Sequence, residues 1–136
     1  DTAGAAQAFT DLLDHMVRVL GEDHPDTLTT RNNLATWRGE AGDTAGAAQA
    51  FTDLLDHMVR VLGEDHPDTL TTRNNLACWR GEAGDTAGAA QAFADLLDHM
   101  VRVLGEDHPH SRVVRHNLAH WRGEAKRTPD VRIDRS

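Results

Sequence analysis

The sequence predicts an all-α fold, a solenoid of antiparallel helix pairs, and three observations carry that prediction. The unit DTAGAAQAFTDLLDHMVRVLGEDHPDTLTTRNNLATWRGEAG begins at Asp1, Asp43 and Asp85. A fixed period of this length marks an array in which each unit buries its apolar face against the next. Inside each unit, apolar residues return at three- and four-residue steps, the spacing of one helical face. Glycine and proline punctuate these segments so closely that consecutive helices must lie antiparallel.

The first helix of the unit is expected from about Thr2 to Leu20, with Ala5, Phe9, Leu12, Leu13, Met16, Val17 and Leu20 forming its apolar face. Asp1 or Thr2 can cap its start, and Gly21 can adopt the left-handed conformation that ends it. The second helix runs from about Pro25 to Ala41. Proline suits a first helical position, and Asp26 faces the positive end of the helix dipole. Gly42 stops this helix and Asp43 caps the next. Gly4, Gly46 and Gly88, inside the first helices, read as points of close helix approach. Repeats over residues 1–42, 43–84 and 85–126 therefore form one repeat domain. Residues 127–136 read as a short solvated tail.

The run Leu-Ala-x-Trp-Arg-Gly-Glu-Ala-Gly-Asp-x-x-Gly-Ala, then an amphipathic helix, then Leu-Gly-Glu-Asp-His-Pro-Asp-Thr, resembles the long form of the tetratricopeptide repeat (TPR). Kinesin light chains use a 42-residue version of it, and bacterial multi-repeat proteins carry close relatives. Leu34, Ala35 and Ala47 match the family's packing positions, whereas Arg38, Arg80 and Arg122 stand where the family often has Tyr. The chain opens half a repeat out of phase with the family, as an excerpt of a longer array would. The resemblance implies a right-handed superhelix, with the Pro25-type helices on its concave side and peptides bound there.

The first two units differ at one position, Thr36 against Cys78, while the second and third differ at nine. On a helix turning about 100° per residue, Thr29, Asn32, Thr36 and Glu40 form one polar stripe. Its counterparts are Thr71, Asn74, Cys78 and Glu82, then Val113, His116, His120 and Glu124. Thr, Cys and His share little in size or chemistry, so the site that holds them faces an open groove rather than the core, where packing tolerates little change. Five further changes crowd into residues 110–114. There Leu70 becomes Arg112, as expected where a solenoid ends and an apolar face would meet water.

The twelve stripe residues are the candidate partner-binding site. Asn32 and Asn74 offer amide donors and acceptors to an extended backbone, and the glutamates favour a basic or neutral segment. His116, His120 and Glu124 have metal-ligand chemistry at helical spacing, but the other units lack it, so neither metal nor cofactor is expected. A catalytic Cys78 with His120 as base is not expected either, because an acidic groove raises a thiol pKa. His24, His66 and His108, with Asp23, Asp65 and Asp107, read as turn and cap chemistry. His15, His57 and His99 read as surface pairs with Asp11, Asp53 and Asp95. Trp37, Trp79 and Trp121 read as inter-repeat core, and Arg38, Arg80 and Arg122 as partners of a repeated carboxylate. Net charge −8 argues against nucleic acid and anionic membranes, no run is long enough to span a bilayer, and one cysteine fits a reducing, cytoplasmic setting. The expected function is a non-enzymatic protein-interaction scaffold. End-to-end homo-oligomers through exposed terminal helices are the alternative.

Overall fold

The computed structural model describes residues 2–127. They form α1 (Thr2–Leu20), α2 (Pro25–Glu40), α3 (Thr44–Leu62), α4 (Pro67–Glu82), α5 (Thr86–Leu104) and α6 (Pro109–Arg127), with no strand among the described residues. The expected bounds hold to within a residue for the first five helices. Arg127, read as tail, instead completes α6 and pairs with Glu124 at 2.6 Å. The expected cap at Asp1 and the rest of the tail lie outside the described residues. The chain divides into two compact units, Asp1–Thr72 and Arg73–Ser136, with the boundary inside α4. In the first, α1 packs on α2 and α2 on α3; in the second, α5 packs on α6.

The helices begin and end for local reasons. The histidine before each proline is an N-cap: ring Nδ1 of His24, His66 and His108 accepts the backbone N–H of Asp26, Asp68 and His110 at 3.1, 3.0 and 3.1 Å. Each ring thereby satisfies one of the donors a helix start leaves unpaired. At the other end of the turn, Gly63 and Gly105 adopt φ of 93° and 95°, open to glycine alone without strain. The turn is also tied from the side. Thr27 and Ser111 hydroxyls donate to the carbonyls of Gly21 and Gly105, both at 2.9 Å.

Arg38 and Arg80 find their carboxylates in the caps of the following helices. Arg38 bonds Asp43 at 3.0 Å and Arg80 bonds Asp85 at 2.9 Å, while the second carboxylate oxygen accepts the N–H of Gly46 or Gly88. This corrects the reading of those glycines. A Cβ at Gly46 or Gly88 would strike the capping carboxylate and the arginine, so the missing side chain makes room for the cap rather than for a neighbouring helix. In the third repeat the position of Asp85 is filled by Arg127, so Arg122 meets a like charge in sequence.

The core follows the predicted faces. Ala47, Phe51, Leu54 and Met58 of α3 are buried, as are Ala89, Phe93, Leu96 and Met100 of α5. From the second helices come Leu28, Ala35, Leu70, Ala77, Val114 and Leu118. Trp121 is buried too, its ring lying where a Cβ on Gly81 would come within 2.5 Å. That glycine marks the close helix approach, a role the sequence reading had placed elsewhere. Trp37 is half-buried beside Phe9, with ring centroids 6.0 Å apart. Arg112, standing where Leu28 and Leu70 are buried, reaches water as expected of a closing turn.

These contacts set the outcome of three substitutions. Gly81→Ala should destabilise by about 1–3 kcal/mol, because a buried indole must move. Gly123→Ala, with nothing within 4 Å of the new methyl, should stabilise by up to about 1 kcal/mol through helix propensity. Urea denaturation of both variants measures the difference. The Arg38 hydrogen bond, and then the Gly46 N–H, hold the Asp43 carboxyl below its ordinary range. A depressed folded-state value stabilises the fold above about pH 4, and that contribution is lost as pH falls through the lowered value. Asp43→Asn keeps a capping oxygen but loses the charge. Its melting temperature should therefore lie below wild type at neutral pH and converge with it in acid.

Candidate functional site

Every stripe residue reaches solvent. Thr29, Glu40, Thr71, Glu82, Val113, His116 and His120 are exposed, and Asn32, Thr36, Asn74, Cys78 and Glu124 are half-buried. The reason lies in the helices that carry them. In the first repeat, α2 turns Thr27 and Thr30 toward α1, and Thr30 donates a weak hydrogen bond to the Met16 sulfur at 3.1 Å. Leu28 and Ala35 are buried. The stripe is what remains between these packed sides. Thr29, Asn32 and Thr71 are brought together around an open cavity of about 270 Å³, with Leu28, Met58 and Leu62 as its apolar wall and His66 and Asp68 at its edge.

Two stripe positions are less free than their side-chain chemistry suggests. Thr36 donates to the Asn32 carbonyl of its own helix at 3.0 Å. Asn117 of α6 donates to Oδ1 of Asn74 at 2.9 Å. The Asn74 amide therefore braces two helices, and one of the two acceptor positions on its oxygen is already taken. The sequence reading assigned this asparagine wholly to ligand binding, and the repeated Asn at position 33/75/117 was the overlooked signal.

Cys78 is a free thiol, half-buried in α4. Burial, and then the Glu82 carboxylate four residues on, push its pKa up. A thiol so placed stays protonated at neutral pH and is a poor nucleophile. The stripe positions of the third repeat do not converge on a metal. Among the described residues, no group of three or more His, Cys, Asp or Glu side chains could hold an ion. The His120 and Trp121 rings instead stand nearly perpendicular, centroids 4.8 Å apart, and Glu124 is engaged by Arg127.

The expected surface pairing of His57 with Asp53 is replaced by two different contacts. Gln49 donates to Asp53 at 3.0 Å, and Gln7 and Gln91 do the same for Asp11 and Asp95. His57 reaches back to Asp23 in the preceding turn, 2.6 Å from Nε2 to Oδ1. Asp23 is thus an inter-helix tie rather than turn chemistry alone.

Models described as tetratricopeptide repeat match residues 1–58 and 69–110. The chain belongs to the tetratricopeptide repeat family. Two crystal structures of a Podosopora anserina protein, assigned to the kinesin light chains and built of nearly identical TPR-like repeats, share its fold. One superposes with a TM-score of 0.77 at 19% identity over 88% of this chain. The other, a point variant of the same protein, gives 0.80 at 18% over 96%. The chain spans 57% and 62% of their lengths. No curated protein matches it. TPR arrays in general mediate protein–protein interaction, and they are typically non-enzymatic scaffolds. No helix among the described residues is long and apolar enough to cross a membrane.

The environment of Cys78 is directly measurable. The rate of maleimide labelling against pH should reach half its maximum above the value of about 8.5 for free cysteine. Glu82→Gln should move that midpoint back toward it.

Proposed function

We propose that this TPR domain, residues 1–126, binds an extended segment of a partner protein along the polar stripe of its second helices. The observation that carries the reading is the cavity bounded by Thr29, Asn32 and Thr71. There hydrogen-bonding groups stand beside an apolar wall of Leu28, Met58 and Leu62. Such a mixture suits a peptide, whose backbone needs donors and acceptors while alternate side chains need apolar contact. Glu40 and Glu82 are exposed on the same stripe, which favours basic or neutral segments over acidic ones. The stripes of the first two repeats differ only at Thr36 against Cys78, whereas the third changes three of its four positions. The third repeat, with Val113, His116 and His120, offers a less acidic surface than the first two.

A pull-down from a peptide library tests this. The double variant Asn32→Ala with Thr71→Ala removes groups at the cavity while sparing Asn74, whose loss would also break the tie to Asn117. Capture of basic or neutral peptides should fall by about thirtyfold, two lost hydrogen bonds at roughly 1 kcal/mol each. Equal capture by wild type and variant would defeat the proposal.

A further inference from the structure

The cavity between the first turns of α2 and α4 has an uneven lining. Its wall is apolar: Leu28 and Met58 are buried, and Leu62 is half-buried beside them. Among the described residues, Asp68 is the one carboxylate that borders it, and neither lysine nor arginine does. The Asp68 backbone N–H is taken by the His66 ring. Its carboxylate is exposed and has no hydrogen bond or ion pair among the described residues. The Thr72 hydroxyl is shared between the Met58 sulfur at 3.1 Å and the Asp68 carbonyl at 3.0 Å. It ties the apolar wall to the turn that carries the carboxylate.

We infer that this cavity is a subsite for one long basic side chain of the bound segment, a lysine or an arginine. Its methylene stem lies along Leu28, Met58 and Leu62, and its cation meets Asp68. The inference rests on the groove proposed above and names the residue that groove selects. Long cationic side chains join an apolar stem to a hydrated head, and the cavity offers the matching surfaces in that order, wall and then rim. Helix starts attract anions, and α2 and α4 both start here. Each start carries roughly half a positive charge, but each also has a full carboxylate in its first turn, Asp26 and Asp68. The local balance is therefore negative and repels an acidic side chain. An apolar side chain would use the wall and leave Asp68 without a partner. The matching positions for Asp68, Thr71 and Thr72 in the third unit are His110, Val113 and Val114. The carboxylate is not repeated there, so one basic residue at the start of α4 fixes the register of the bound segment.

Two pools of randomised heptapeptides test this. They are alike except at the central position, which is lysine in one and norleucine (the same stem without the cation) in the other. Capture by the immobilised full chain is measured for each. The lysine pool should be captured about threefold better, the size of one exposed charge pair. That advantage should shrink in about 1 M salt. Asp68→Asn should bring capture of the lysine pool down to the norleucine level, and Asp68→Glu should keep the advantage. Circular dichroism of both variants should match wild type. The double variant Asn32→Ala with Thr71→Ala should lower capture of both pools. Equal capture of the two pools by wild type, or an advantage that survives Asp68→Asn or high salt, overturns the inference and leaves the groove reading standing. Capture of neither pool defeats both.

Discussion

Apolar side chains on these helices cannot bury themselves; only a neighbouring helix can cover them. The 19 residues shared by α1 and α3 make this plain, because chemistry is held constant while the neighbour changes. Full burial of a leucine or phenylalanine is worth about 1.5–3 kcal/mol, so four such positions per helix decide whether it stays folded. Stability is then a sum of nearest-neighbour terms rather than the property of a central core. The rest of the design follows. Alanine at 35 and 77 and glycine at 81 let helix axes approach, and Trp121 fills the space that Gly81 opens. The polar stripe is what is left when both sides of a helix are committed to neighbours.

The connections are held with equal economy. A histidine ring caps each second helix, an aspartate caps each of α3 and α5, and a threonine or serine hydroxyl ties two of the turns to the preceding glycine carbonyl. Arg38 and Arg80 join the cap of one helix to the last turn of the helix before it. Exposed ion pairs of this kind add little stability. Their value is orientational, since each fixes the angle at which one helix leaves another.

Helix bounds, the glycine stops and the Asp43 cap were legible in the sequence because all are local. Spacing, dipole and φ preference act within a few residues. The burial of Trp121 was legible from its recurrence beside Leu118, whereas Trp37 and Trp79, read as core in the same way, are half-buried. What escaped were contacts whose partners lie 34 to 43 residues apart, namely His57 with Asp23 and Asn117 with Asn74. These depend on the sliding register between helices, which a one-helix periodicity does not contain. The glycines at 46 and 88 were misread for a related reason. Helix interiors commonly use glycine for close approach, and only the coordinates reveal that a capping carboxylate folds back over these two. For the stripe, the sequence yielded which residues face water, but not that Asn74 is half occupied by its neighbour.

The first two repeats differ by a single side chain, so a nascent chain meets several docking surfaces that are chemically the same. The side of α2 that packs on α3 meets the same side chains on α1, so packing energy alone does not choose between them. The choice falls to the tethers: four residues from Gly21 to His24 and three from Ala41 to Asp43. Short tethers make nearby encounters frequent and distant ones rare, because closing a longer loop costs more entropy. Fidelity of assembly in such a chain therefore rests on its connections, and lengthening a turn would be felt as mispaired, swapped or aggregated product.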